Sequence, residues 1–417
     1  MTAVDQPITE PHAEPGYGEV ADLFTRSIKQ LGAGGGAFAA YVDGRKVVDL
    51  WGGHSAPGRP WAADTRSIMM SATKGLSTMC VQLLVDRGRI DVEAPVAQYW
   101  PEFAQAGKEG VLVRHVLTHT AGVLGWPTAS QLMKWDGTGW DQYDAIAAGL
   151  AAAPAEWAPG ERFGYHAISY GWLCGELVRR VSGDTIGTFF RREIAEPLGV
   201  DASIGTSPED QTRLATLIVS ATEGVPFVLR PLITRSMKAM RDPKTLTGKA
   251  FLGDGTSSVM ESAGTLFSSP SFLAAELPGG NGSATARGLA RAYACIARDG
   301  ELDGLRIWSA ETVKRFSEIV IRMPDALIVE AAPPLLRKRL SFPIERTLGY
   351  LVNPRLPGQP PRFGPAPHSF GHDGAGGQVA FADRNAKISV GFVRNAMTAS
   401  TAPSTPLINA LYRCAGR

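Results

Sequence analysis

A hydroxyl and an amine stand three residues apart in Ser71-Ala72-Thr73-Lys74, at the start of an apolar-periodic stretch. On a helix, positions three apart are surface neighbours, so the Lys74 amine reaches the Ser71 oxygen without help from a distant loop. A serine hydroxyl is a weak nucleophile at neutral pH and needs an adjacent base before it attacks a carbonyl. Lysine serves as that base where burial and nearby positive potential lower its pKa. Placed in the first helical turn, Ser71 also gains unpaired backbone N–H groups and the positive end of the helix dipole, both favourable to a developing oxyanion. Leu76, Met79, Cys80, Leu83 and Leu84 recur at helical spacing and bury the opposite side. A Ser-x-x-Lys arises by chance about once in a chain of this length, and its plain reading is a serine N-cap followed by a surface lysine, so its company has to decide.

That company includes Tyr165, at the end of Trp157-Ala158-Pro159-Gly160-Glu161-Arg162-Phe163-Gly164-Tyr165. Its phenol is the proton relay that a Ser-Lys pair lacks, with a pKa lowered by a cationic neighbour; the other reading is a half-buried core tyrosine. Further on stands Phe370-Gly371-His372-Asp373-Gly374-Ala375-Gly376-Gly377. Clustered glycines let backbone approach a ligand closely, and an N–H in this run completes an oxyanion hole with that of Ser71, unless the run is only the entry to a hairpin. His372 and Asp373 are poor members of a Ser-His-Asp triad, because adjacent residues on a strand point to opposite faces. The chain has no Gly-x-Ser-x-Gly elbow, and Gly279-Gly280-Asn281-Gly282-Ser283 lacks the Gly-Lys-Ser/Thr ending of a phosphate loop. His115 and His119 are four apart with no third ligand placed to make a zinc site, so His119 reads as a structural histidine near a turn.

The elements that must hold these groups follow from periodicity. Of 417 residues 44% are hydrophobic, enough for one large two-part unit or two domains. Lys plus Arg at 42 against Asp plus Glu at 40 leaves a net charge of +2, too balanced to steer the chain to nucleic acid or an anionic membrane; a small substrate of low charge is expected. Cys80, Cys174, Cys295 and Cys414 are far apart without metal spacing and read as buried free thiols. Residues 1–17 are polar with three prolines and lack the apolar core of a secretory signal, and no run approaches a membrane span, which points to a cytoplasmic protein with peripheral membrane contact left open.

A helix is expected over 18–31, then strands over 37–41 and 46–51 around Asp43-Gly44, a strong hairpin turn. A matching hairpin over 378–382 and 387–394 and a last helix through Leu407, Ala410, Leu411 and Cys414 lie at the other end. One antiparallel sheet built from both chain ends follows, with a mainly helical insertion between them. The boundaries are 1–66, 67–280 and 281–417. Helices are expected over 170–181, ended by Ser182-Gly183, and over 284–297, capped by Ser283. Residues 205–260 resist assignment, and the prolines of 333–367 argue for a long irregular segment forming a lid or substrate wall.

With these residues assembled, the chain resembles the serine β-lactamase-like superfamily over nearly its whole length, and within it the family VIII carboxylesterases related to class C β-lactamases. Ser71 to Lys74, continuing through Leu84-Val85-Asp86-Arg87-Gly88, is similar to the family's nucleophile helix. The stretch around Leu117-Thr118-His119 with Ala121-Gly122 is similar to its Leu-Thr-His-x-Ala-Gly segment, Tyr165 to its second-motif tyrosine, and His372-Asp373-Gly374 stands at its Lys-Thr-Gly. The resemblance implies an α/β (α+β) fold of β-lactamase/transpeptidase type. It implies further that Ser71 is acylated, that Lys74 and Tyr165 shuttle protons, that the N–H groups of Ser71 and Ala375 hold the oxyanion, and that His372 and Gly374 touch substrate, with no metal and no cofactor. Two departures bear on substrate: Ala167 stands where β-lactamases place Asn, and His372 where they place Lys, removing an amide hydrogen bond and a fixed charge. The expected activity is hydrolysis of short- or medium-acyl carboxylic esters, with a small-molecule ester as partner and neither nucleic acid nor integral membrane association. A β-lactamase or D-amino-acid peptidase on the same scaffold, and a non-catalytic binding protein of this fold, are the alternatives.

Overall fold

The computed structural model describes residues 10–30, 34–220, 230–354, 360–398 and 403–417. The polar segment before Glu10 and the expected helix end at Leu31 fall outside them. The chain enters through a short strand, β1 (His12–Ala13), and α1 (Gly18–Gln30), then turns through the hairpin β2 (Gly35–Val42) and β3 (Arg45–Ala56). Asp43 and Gly44 carry φ of 51° and 82°, the pair of positive values that a two-residue type I′ turn needs. β3 outruns its expected end at Trp51 because Trp51, Gly52 and Gly53 keep pairing with Ala37, Gly36 and Gly35.

The far end of the chain supplies the remaining strands: β4 (Ile321–Met323), β5 (Ile344–Arg346), β6 (Leu351–Val352), β7 (Phe370–Gly374), β8 (Gln378–Asp383) and β9 (Ile388–Arg394). Antiparallel pairing of β9 with β2, from Ile388 opposite Val42 to Arg394 opposite Gly36, joins the two ends of the chain. The sheet then reads β1-β3-β2-β9-β8-β7-β6-β5-β4, with Arg59–Pro60 added against β3. An antiparallel sheet from both ends enclosing a helical middle is thus observed. Three strands depart from expectation. β5 and β6 fall inside the proline-dense segment, because Pro343 and Pro354 bracket a proline-free stretch whose backbone donors are free to pair. Residues Ser283–Ala284 form a strand between Ser67–Ile68 and Ala202–Ser203, and the helix starts two residues later.

Helices cover both sheet faces. On one side Val20 and Phe24 of α1 and Leu407 and Leu411 of α5 (Thr405–Cys414) bury Phe38, Val48, Val390 and Phe392; each such side chain contributes about 1.5–3 kcal/mol when removed from water. On the other side lie α2 (Thr73–Asp86), α3 (Ser169–Ser182) and α4 (Ala286–Ala297). Thr285 caps α4 by accepting from the Gly288 N–H at 3.1 Å, where Ser283 was the expected cap. α3 stops at Gly183 in the left-handed region, as its sequence implies. At Gly391 a Cβ would come within 2.2 Å of the Ala286 carbonyl, so only glycine lets α4 lie this close on β9. Cys80, Cys174 and Cys295 are buried free thiols, while Cys414 at the end of α5 is only half-buried. Among the described residues no helix is long and apolar enough to cross a membrane.

Candidate active site

Ser71 stands just ahead of α2, in a single 3-10 turn over Met70–Ala72, and not in the first turn of the helix itself. Met70 takes a φ of 50°, a conformation costly for a side chain of its size and met mostly where surrounding structure enforces it. Enforcement is visible: the Thr73 hydroxyl donates to the Met70 carbonyl at 2.7 Å and accepts from the Gly282 N–H at 3.1 Å, while the Met69 N–H donates to the Gly282 carbonyl at 2.8 Å. The strained turn holds Ser71 half-exposed above a helix buried from Thr73 to Leu84. Burial on every face excludes the reading of Lys74 as a surface lysine.

Lys74 lies wholly inside, with Nζ 3.3 Å from the Ser71 hydroxyl oxygen and 5.0 Å from the centre of the Tyr165 ring. It donates to the carbonyls of Ala167 and Gly279, both at 2.7 Å. Burial first, and the Arg346 guanidinium second, hold its pKa well below the ordinary lysine value. A neutral amine has two N–H groups and one lone pair. In that neutral form the two carbonyls take both N–H groups and leave the lone pair for the Ser71 hydroxyl, whereas in the ammonium form the third N–H donates to Ser71.

Tyr165, half-buried at the entrance to α3, hydrogen-bonds Ser71. Its pKa is pushed up to about 12: burial outweighs the lowering by the Ser71 hydrogen bond and by Arg346. The expectation of a phenol acidified by a cationic neighbour is therefore reversed, because desolvation of the phenolate costs more than that neighbour returns. Behind it, the ring of His119 packs 5.2 Å from Tyr165 and stacks 4.5 Å from Tyr170. His119 takes a φ of 59° and accepts from the His166 N–H at 3.1 Å, a structural role, while His115 is bound locally to the Leu112 N–H. No metal-ligand cluster exists among the described residues.

The glycine-rich run arrives on β7. His372 is buried, with Nδ1 2.7 Å from the Asp373 carbonyl, so Nδ1 carries the proton and Nε2 has no hydrogen-bond partner among the described residues. Burial, then Arg346 and Lys74, keep the imidazole neutral. Its ring centre is 6.2 Å from that of Tyr165. The Asp373 carboxylate pairs with Arg362 and lies 3.9 Å from His372 Nδ1, whose hydrogen bond goes to the Asp373 carbonyl and not to the carboxylate. A Cβ on Gly374 would sit 2.3 Å from the Met69 carbonyl, so glycine here lets β7 end directly against the turn that carries Ser71. Ala375 follows in the turn between β7 and β8, half-buried against the same core. Ser71, Lys74, Tyr165, His372, Gly374 and Ala375 are thus gathered at one place.

Beside them opens a cavity of about 550 Å³ whose walls include Phe163, Tyr165, Asp325, Arg346, Arg362 and His372. Arg346 had no motif to announce it. Its one signal was a charged residue in Ile344-Glu345-Arg346, where strand alternation sends neighbours to opposite faces. The site therefore brings together a half-exposed hydroxyl, a buried amine 3.3 Å from it, a phenol with a raised pKa and a backbone turn packed beside the hydroxyl.

A protein-family model described as Beta-lactamase matches residues 20–412. The chain is 34% identical over 390 residues to the Esterase/beta-lactamase LipL of Mycobacterium tuberculosis, covering 92% of this chain and 82% of that protein. Among solved structures it is similar to a penicillin-binding protein homologue from Caulobacter crescentus, with a TM-score of 0.78, 31% identity and coverage of 96% and 98% of the two chains. A family VIII carboxylesterase matches at a TM-score of 0.77 and 30% identity, over 96% and 98% of the two chains.

Proposed function

The chain belongs to the β-lactamase family, and from that premise we propose that it is a serine carboxylesterase cleaving short- or medium-acyl esters through an acyl-enzyme on Ser71. The observation that carries the reading is the placement of Lys74, with Nζ 3.3 Å from the Ser71 hydroxyl oxygen under a clamp of two carbonyls; once the amine is neutral, that clamp leaves its lone pair for the Ser71 proton. Lys74 takes the Ser71 proton as Ser71 Oγ bonds to the ester carbonyl carbon. The N–H groups of Ser71 and Ala375 receive the oxyanion, a contribution worth about 10²–10³ in rate for each donor. Tyr165, protonated because of its raised pKa, gives its proton to the departing alkoxide and recovers one from Lys74. Water then repeats the sequence on the acyl-enzyme, with Lys74 as its base. LipL is named both esterase and β-lactamase, and the structural relative is a carboxylesterase; both names agree with this chemistry.

An ester needs nothing more than these parts. A β-lactam also needs a partner for its side-chain amide, and Ala167 has no polar side chain and gives its carbonyl to Lys74. His372 is neutral and supplies no fixed charge. Sites lacking a polar partner discriminate against substrates that require one. Kinetics on a p-nitrophenyl ester and a chromogenic cephalosporin side by side test the assignment. Clear ester turnover with slow cephalosporin turnover is expected, and a cephalosporin kcat/KM at or above that of the best ester would transfer the assignment to β-lactamase.

A further inference from the structure

Between β4 and β5 the chain leaves the sheet in an excursion whose base is anchored and whose tip is bare. On the way out the helix Ala326–Ala331 buries Leu327, and Ala332 is buried after it. Arg235 Nε–H donates to the Ala331 carbonyl at 3.2 Å, and the Glu330 carboxylate accepts from the Leu246 N–H at 2.7 Å. Pro333 and Pro334, each with φ fixed by its ring, lead into a single 3-10 turn, Pro334–Leu336, and a short helix, Arg337–Leu340. The Leu336 N–H donates to the Pro333 carbonyl at 2.8 Å, and Arg337 Nε–H to that of Ala332 at 3.5 Å, so the tip holds a defined shape.

At that tip Leu335 is 96% exposed, against 45% for Val320, the next most exposed large hydrophobic among the described residues. Leu336 beside it is exposed as well. A leucine exposed singly needs no explanation, but these two are followed at once by Arg337, Lys338 and Arg339, all exposed. Arg235 and Lys238, three apart on the helix Arg230–Arg241 and so on one face of it, are exposed too. The carboxylates of neighbouring elements are committed elsewhere: Glu330 to the Leu246 N–H, Glu261 to Arg241, Glu345 to Arg322 and Glu161 to Arg162. The net charge of +2 therefore conceals a local basic surface that carries two leucines at its summit.

We propose that the excursion Pro333–Leu340 docks the protein on an anionic phospholipid bilayer, with Leu335 and Leu336 entering the boundary between headgroups and acyl chains and Arg337, Lys338 and Arg339 lying among the phosphates. Apolar side chains flanked by Lys and Arg bind such a surface by both effects at once. A second copy of the chain fits the tip poorly, because a two-fold contact sets Arg337 to Arg339 against themselves with no carboxylate between them. A protein partner fits it poorly as well: two leucines on a projecting tip offer far less than the roughly 800 Å² a side of a stable interface. The same excursion carries Ile328 on its way out and Phe342 and Pro343 on its way back, and these line the cavity beside Ser71. Docking thus brings one wall of that cavity to the lipid. The proposal goes beyond the esterase reading and does not depend on it.

Vesicle flotation of the full chain tests this, with vesicles of phosphatidylcholine alone and of phosphatidylcholine and phosphatidylglycerol in equal parts. The wild type should partition about tenfold or more in favour of the anionic vesicles, and added salt should weaken that binding. Leu335→Ser with Leu336→Ser should lower partition about tenfold, and Lys338→Glu with Arg339→Glu should remove the preference for phosphatidylglycerol. All four side chains are exposed and none lines the cavity beside Ser71, so both double variants should fold and should hydrolyse a short soluble ester as the wild type does. No binding of the wild type, equal partition on the two vesicles, or wild-type partition by either double variant would overturn the proposal. So would a wild-type dimer in light scattering that Leu335→Ser with Leu336→Ser dissolves while vesicles stay unbound, which would give the tip to a second copy. Flotation needs no turnover: anionic vesicles bound by a chain that hydrolyses no ester would refute the esterase reading and leave the docking tip standing, and ester hydrolysis without vesicle binding would do the reverse.

Discussion

Replacing Lys74 with Met keeps most of the side-chain volume inside α2 and removes the amine alone. Ser71 then loses the amine that lies 3.3 Å from its hydroxyl oxygen, while Tyr165, the other side chain hydrogen-bonded to it, is held protonated with a pKa of about 12. General-base catalysis is worth about 10²–10⁴, so kcat/KM on a p-nitrophenyl ester should fall by that factor, or about 2.7–5.4 kcal/mol of transition-state stabilisation. The variant also leaves the Ala167 and Gly279 carbonyls without their donor, at about 1–3 kcal/mol for each. Near-UV circular dichroism and a single cooperative unfolding transition must therefore accompany the kinetics. The pH profile carries a second, independent part of the prediction. Only the deprotonated amine has a lone pair, so wild-type kcat/KM rises with pH through the Lys74 pKa; burial and Arg346 bring that limb below the ordinary lysine range, and the phenol stays protonated throughout it. Retention of activity within tenfold by a folded Lys74→Met, or an activity limb at the ordinary lysine pKa in the wild type, would refute the reasoning.

Tyr165 and Lys74 act on the same proton, so Tyr165→Phe, Lys74→Met and the double variant should show losses in kcat/KM that fail to add; additive losses, or a Tyr165→Phe enzyme close to full activity, return Tyr165 to a packing role. Gly374→Ala places a Cβ 2.3 Å from the Met69 carbonyl and must push β7 from the Ser71 turn, costing about 10²-fold in kcat with KM little changed; kinetics matching the wild type would remove Ala375 from the oxyanion hole.

Legibility followed the length and locality of the signal. The hairpin at Asp43-Gly44 and the end of α3 at Gly183 were readable because each is set by the residues that compose it. Ser71 and Lys74 were readable because three residues on one turn suffice to bring them together. The strand Ser283–Ala284 was not, since a two-residue element has no periodicity and its pairing with Ser67–Ile68 and Ala202–Ser203 is set by distant chain. Thr285 in turn captured the cap that Ser283 was expected to make. β5 and β6 were hidden by the prolines around them. The protonation state of Tyr165 depends on how much water the fold removes, and its sign reversed for that reason. Arg346 belongs to no motif, and its effect on Lys74 and Tyr165 comes from where the sheet places it.

The claim at the centre is that Ser71 alone carries the acyl group. Intact-protein mass spectrometry after treatment with a fluorophosphonate, on the wild type and on Ser71→Ala, measures it directly. One adduct per wild-type chain, mapped by digestion to the peptide containing Ser71 and absent from a folded Ser71→Ala, is the expected result. An adduct that persists in Ser71→Ala, or an unlabelled wild type that still hydrolyses esters, would contradict the account.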